Sequence, residues 1–153
     1  MKGIKLTAWI QMIMLCMIIV TIISCSKDQQ METDQMLIDD YLENNSLTAQ
    51  STSSGLHYII HTPGNSEHPD VSNTVILAYT GKLLNGSEFD ASTYFTYQLS
   101  GLIEGWQEGV PLIGKGGSIT LIIPSHLAYG DQSYPGIPAN SVLVFDIQLF
   151  DFY

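Results

Sequence analysis

The chain has 153 residues, with fifteen acids, five lysines and no arginine, for a formal net charge of −10 at pH 7. Lack of arginine excludes bidentate clamps on phosphate or carboxylate. The few lysines exclude the clustered positive charge that nucleic-acid binding needs, so no nucleic-acid partner is expected, and the acidity asks for nothing beyond solubility.

Lys2 and Lys5 precede an apolar run, Ala8 to Ile23, interrupted mainly by Gln11. A positive start, an apolar centre and small residues at a cut site are the layout of a secretion signal. The Ile22-Ile23-Ser24-Cys25 ending resembles a bacterial lipobox, in which the cysteine is lipidated and becomes the first mature residue. The expected organisation is a signal peptide with lipobox over 1–24. Lipid attachment at Cys25, a tether helix and a linker follow over 25–54, then a folded domain over 55–153. An uncleaved membrane anchor is the alternative, although the run is short against the ~20 residues of a spanning helix. Both readings put the folded part outside the cytoplasm, as an exported, membrane-anchored protein of the bacterial cell envelope, on its periplasmic or surface face. No cysteine follows Cys25. The mature domain must therefore be held by its core, for which roughly 125 residues suffice.

A helix is expected over 31–45, with Thr33 as cap and Asp34 in the first turn. Leu37, Ile38, Tyr41 and Leu42 form its apolar face. Residues 46–54 are rich in Ser and Thr and read as a linker. From Gly55 the period becomes two, with Leu56, Tyr58 and Ile60 alternating with His57, Ile59 and His61. A strand over 74–84 sets Val75, Leu77 and Tyr79 on one face. Asn85-Gly86 signals a hairpin turn, because both residues tolerate positive φ. A short strand over 95–99 and a short helix over 103–110 follow, the helix stopped by the residue before Pro111. Residues 118–123 form a strand. Residues 124–140 form a long loop of the kind that is usually functional. A last strand over 141–150 sets Leu143, Phe145, Ile147 and Leu149 on one face. The fold class is α+β, an antiparallel β-sheet wrapped around one short α-helix, preceded by an N-terminal helix.

His57 and His61 share a strand face but lie ~13 Å apart at ~3.3 Å per residue, too far to share one ion. With His68 they read as solvent-facing polar residues, and His126 has no evident partner. No metal, cofactor or covalent nucleophile is expected.

The later part of the chain carries, in order, Tyr79-Thr80-Gly81, Phe89-Asp90, Gly105-Trp106, Ala128-Tyr129-Gly130, Pro135-Gly136-Ile137-Pro138 and Leu143-Val144-Phe145-Asp146. The order and spacing of these six pieces resemble the FKBP family of peptidyl-prolyl cis/trans isomerases, over about residues 74–152. The resemblance implies an FKBP-like fold and an isomerase of Xaa-Pro bonds. Trp106 would be the floor of an apolar pocket, with Tyr79, Phe89, Phe95 and Phe145 as walls and Leu102 at the rim. Ile103 would offer its backbone N–H to a substrate carbonyl, and Tyr129 its hydroxyl. Ile137 would contact substrate from above, and Tyr134 would bear on the residue preferred before proline. Asp90 and Tyr129 are the expected catalytic pair. In the family the acid at the Asp90 position often pairs with a basic residue. No arginine exists here and the segment over 91–94 is short, so Asp90 is expected to accept hydrogen bonds from Tyr79 or nearby backbone. The implied partners are proline-containing polypeptides, the membrane through lipid on Cys25, and macrolide inhibitors. The alternatives are a non-catalytic proline-binding or chaperone-like module, and a structural lipoprotein whose N-terminal helix is the working part.

Overall fold

The computed structural model describes residues 27–153. The expected signal peptide over 1–24 and the expected lipidation at Cys25 lie outside the described residues. The chain divides into a unit of residues 1–33 and a compact unit Asp34–Tyr153.

Helix α1 covers residues 27–44. It starts earlier than expected, so Thr33 is not its cap: its hydroxyl donates to the Gln29 carbonyl one turn back, at 2.8 Å. In the second unit, α1 buries Asp34 and Ile38, while Tyr41 and Leu42 are half-buried. These positions recur at four and then three or four residues, one stripe of a helix. Leu37 falls outside that stripe and is exposed.

Six strands form one sheet: β1 Gln50–Ser51, β2 His57–Thr62, β3 Thr74–Leu83, β4 Glu88–Gln98, β5 Ser118–Ile123 and β6 Leu143–Phe152. Their order is β1-β2-β5-β6-β3-β4, and every neighbouring pair is antiparallel. Alternation along the strands sends Val75, Leu77, Ile119, Leu121, Ile123, Leu143, Phe145, Ile147 and Leu149 into the main core. Helix α2, Glu104–Gly109, adds Trp106 to that core. A Cβ on Gly105 would lie 2.5 Å from Ile123 Cγ2, and one on Gly109 2.5 Å from Leu121 Cδ2. Two glycines one turn apart thus let α2 sit directly on β5.

The opposite strand residues form a second cluster, in which Ile122, Val142 and Val144 pack with Ile38 of α1. Full burial of one such side chain contributes about 1.5–3 kcal/mol. Residues 46–54, expected as linker, contain β1, which pairs Gln50 with Tyr58. The second half of α1 and β1 are therefore built into the same compact unit as residues 55–153.

The hairpin turn that Asn85-Gly86 signalled is present, with only one of the two residues at positive φ. Gly86 has φ +84°, while Asn85 is not at positive φ. The Gly86 N–H donates to the Leu83 carbonyl at 2.9 Å and the Leu83 N–H to the Ser87 carbonyl at 2.9 Å. That is a three-residue loop ending in one left-handed glycine. Strand β4 is longer than the expected 95–99. Its register against β3 shifts between Leu77 and Tyr79 and again between Gly81 and Lys82. Those bulges break the alternation that would have revealed it. Val110 keeps α-region angles, φ −63° and ψ −37°, despite preceding Pro111, and the chain continues as a 3-10 turn over Val110–Leu112.

His61 and His68 are exposed as expected, whereas His57 and His126 depart from expectation. His57 is buried, its Nδ1 3.1 Å from the Gly55 carbonyl. His61 Nε2 lies 2.8 Å from Thr120 Oγ1. His126 does have a partner, the Ser54 carbonyl at 3.0 Å from Nε2.

Candidate active site

Strands β3 and β4, the loop before α2, α2 itself, β6 and the loop after β5 meet around one open cavity of about 300 Å³. Its lining includes Tyr79, Phe89, Asp90, Phe95, Leu102, Ile103, Trp106, Tyr129 and Phe145, all singled out from sequence, together with Gly101.

Trp106 is 4% exposed. The Tyr79 ring meets it edge-on at 5.1 Å and 81°, and the Phe145 ring at 5.1 Å and 89°. Phe95 approaches at 6.2 Å and 80°. Edge-to-face pairs are favoured by the ring quadrupoles. Among the described residues the indole N–H has no hydrogen-bond partner, so packing alone holds the ring. Phe89 stands edge-on to Phe145 at 5.6 Å. Gly81 lies between these two: a Cβ there would come within 2.7 Å of Phe145 Cε1 and 2.8 Å of Phe89 Cε2. Glycine at 81 is therefore a close-approach requirement of the aromatic wall. The sequence motif contained it without revealing that role.

Asp90 sits on β4 opposite Gly81. Its Oδ2 accepts the Tyr79 hydroxyl at 2.6 Å, the pairing expected once arginine was excluded. Burial raises the Tyr79 phenol well above its ordinary pKa, and the hydrogen bond to Asp90 and that group's charge raise it further. Burial also raises the Tyr129 phenol, with Asp90 and Tyr134 adding to the shift. Both phenols are thus held in the neutral, donating form.

Ile103 is extended at φ −58°, ψ 149°, immediately before α2, with its carbonyl accepting from the Trp106 N–H at 2.9 Å. The rim before it is held by Gln107, whose Nε2 donates to the Leu102 carbonyl at 2.7 Å and the Ser100 carbonyl at 3.3 Å. No sequence signal marks Gln107, because an amide on a short helix is ordinary until its acceptors are known.

Two candidates lie beside the cavity instead of lining it. Tyr134 is half exposed and packs on Tyr129, with ring centroids 4.4 Å apart. Ile137 is 6% exposed and belongs to the core. A two-way backbone bridge, Tyr134 N–H to Ile137 carbonyl and the reverse, both at 2.9 Å, folds the loop tip back on itself. Gly136 at its apex has φ +81°, and a Cβ there would be 3.3 Å from Phe89 Cβ. The bridge turns Ile137 inward against the wall that Phe89 forms.

A small hollow of aromatic walls on an antiparallel sheet, floored by a helix tryptophan and carrying two neutral phenols, defines an apolar binding domain suited to a compact ring. The profile of the FKBP-type peptidyl-prolyl cis-trans isomerase family matches residues 65–150, and the chain belongs to that family. It is 46% identical over 106 residues to FKBP-type peptidyl-prolyl cis-trans isomerase FkpA of Escherichia coli (strain K12), covering 67% of this chain and 39% of that protein. It is 38% identical over 128 residues to the FkpA of Aeromonas hydrophila, covering 80% of this chain and 48% of that protein. The chain thus spans less than half the length of these curated relatives. Among solved structures, FkpA from Escherichia coli superposes with a TM-score of 0.71 at 36% identity, covering 92% of this chain and 71% of that chain. AtFKBP13 superposes with a TM-score of 0.63 at 31% identity, covering 69% of this chain and 99% of that one.

Proposed function

We propose that this protein accelerates cis/trans rotation of Xaa-Pro bonds in exported polypeptides. Rotation about an imide bond crosses a barrier of ~18–20 kcal/mol because it breaks conjugation. The twisted state has lost resonance, so its carbonyl is less polarised than in the planar bond. A pocket that strips water from the prolyl unit disfavours the planar ground state relative to the twisted one. An acceleration of about 10⁵ needs about 7 kcal/mol off the barrier, whereas one hydrogen bond nets only ~0.5–1.5 kcal/mol. Desolvation and the holding of a turned backbone therefore supply most of the effect.

The observation that carries this reading is the convergence of Tyr79, Phe89, Phe95, Trp106 and Phe145 on one cavity that Asp90 and Tyr129 also border. In it Trp106 supports the proline ring, Tyr79, Phe89, Phe95 and Phe145 exclude water, and Leu102 forms the rim. Tyr129 donates its hydroxyl, and Ile103 its N–H, to substrate carbonyls. Asp90 keeps Tyr79 in place. Tyr134, packed on Tyr129, bears on the residue before proline, and Ile137 supports the loop above the wall. Macrolide inhibitors would compete for the same hollow.

The protein carries out this reaction as a membrane-tethered lipoprotein, with 1–24 removed as a signal peptide, Cys25 lipidated, residues from Ser26 leading into α1, and 55–153 forming the isomerase domain. Support for that part is the charge and hydropathy pattern of the N-terminal residues.

A protease-coupled assay on short Xaa-Pro peptides tests the activity. Acceleration at micromolar protein or below is expected, and none at that concentration leaves a proline-binding module instead. Metabolic labelling with a radioactive fatty acid tests the anchor: label should be incorporated by the wild type and lost in Cys25→Ala.

A further inference from the structure

We propose, resting on the isomerase reading of the cavity, that Asp34 of α1 is a positioning residue that sets where the Tyr129 hydroxyl stands.

Asp34 is fully buried. Its Oδ2 accepts two hydrogen bonds from one residue 91 positions away, the Ser125 N–H at 2.8 Å and the Ser125 hydroxyl at 2.6 Å. Ser125 is itself buried and begins the 3-10 turn after β5. Its carbonyl then accepts the N–H groups on both sides of Tyr129, from Ala128 at 3.0 Å and Gly130 at 2.8 Å. One peptide plane therefore brackets Tyr129, and one carboxyl group holds the residue to which that plane belongs. Tyr129 lies at the cavity with its own ring packed on Tyr134.

Burying a polar group is costly unless its hydrogen bonds are made. Ser125 therefore cannot drift without leaving buried polar groups unmatched. The Tyr129 turn is also tied by the His126 contact to Ser54, the Leu127 N–H to the Pro124 carbonyl at 3.0 Å, the Gln132 N–H to the Tyr129 carbonyl at 3.1 Å and the Asn140 N–H to the Gly130 carbonyl at 2.7 Å. Helix α1, expected from sequence as a tether, thus holds the turn that presents the donor. A plain docking role for Asp34 would tie the helix down without bearing on the Tyr129 hydroxyl, and kinetics separate the two.

The test is a double-mutant cycle in the full chain, with kcat/KM for an Xaa-Pro peptide measured where circular dichroism shows every variant folded. Asp34→Ala should lower kcat/KM by about threefold to tenfold. In a Tyr129→Phe background the same change should cost less than about twofold, since the hydroxyl it positions is gone. Asp34→Asn, which keeps an acceptor, should recover most of the loss. Ser125→Ala, which removes only the hydroxyl bond, should follow the same pattern more weakly and serves if Asp34→Ala does not fold. An equal loss in both backgrounds, or no loss with wild-type Tyr129, overturns the proposal. A second readout is independent of turnover. In protein labelled with ¹³C-tyrosine, Asp34→Ala, or Ser125→Ala if that variant does not fold, should shift the Tyr129 ring resonances and leave those of Tyr79 in place; unmoved Tyr129 resonances also overturn it. A wild type without isomerase activity sinks the isomerase reading alone, and the resonance shift then still decides whether Asp34 positions Tyr129.

Discussion

The Tyr79 hydroxyl and the Asp90 carboxyl lie 2.6 Å apart across the β3–β4 hairpin. This bond joins the expected catalytic acid, itself exposed, to the aromatic wall. It also fixes a pH dependence. Burial first, then Asp90, raises the folded-state pKa of Tyr79. An unfolded tyrosine ionises near pH 10. The neutral phenol's contribution is therefore complete below about pH 10 and is lost as pH rises beyond it toward the folded value. Urea midpoints of the wild type should fall more steeply above about pH 10 than those of Tyr79→Phe. Parallel slopes would rule the coupling out.

Asp146 gives the opposite limb. Burial pushes its carboxyl up, but hydrogen bonds from Thr120 at 2.7 Å and Lys82 at 3.0 Å, with the Lys82 charge, outweigh burial and hold it below its ordinary value. A lowered carboxyl stabilises the fold above about pH 4 and loses that contribution as pH falls through the folded pKa. Asp146→Asn should therefore flatten the acid side of the stability profile, measured as urea midpoints at about pH 6 and about pH 3.

Trp106→Ala empties the cavity floor under three aromatic neighbours. A loss of about 3–5 kcal/mol in folding stability is expected from such a change. Activity should fall with it, at temperatures where the variant remains folded. Denaturant unfolding with matched m-values checks the first part.

Gly81→Ala places a methyl against Phe89 and Phe145. Overpacking of this kind costs about 1–3 kcal/mol. Half-buried Phe89 is the side chain able to yield, and its displacement narrows the hollow. KM for a prolyl peptide should rise more than stability falls, and a KM equal to that of the wild type would show that Phe89 is not a wall of the site.

Tyr129→Phe should keep the fold and lower kcat/KM by less than about tenfold, because one hydrogen bond nets only about 1 kcal/mol. A hundredfold loss in the peptide assay would mean that the phenol, not the exclusion of water, dominates catalysis.

Local pattern and short motifs in the sequence determined most of this architecture and most of the lining. Val75, Leu77 and Tyr79 on β3, and Leu143, Phe145, Ile147 and Leu149 on β6, alternate with a period of two because only one face of each strand meets the main core. The family resemblance of Gly105-Trp106 implied the floor, and the structure supplies the reason for the glycine: a Cβ there would lie 2.5 Å from Ile123 Cγ2. Other relationships were decided only by the tertiary structure. The bulges of β4 are set by pairing with β3, so no period in its own residues announces it. Ile137 turns inward because Tyr134 bridges back to it. Asp34 looked like a first-turn acid suited to the helix dipole, yet it binds Ser125, 91 residues away. Hydrogen bonds between such distant positions leave no trace in neighbouring residues. They exist because burial strips both groups of water and each is then the other's partner.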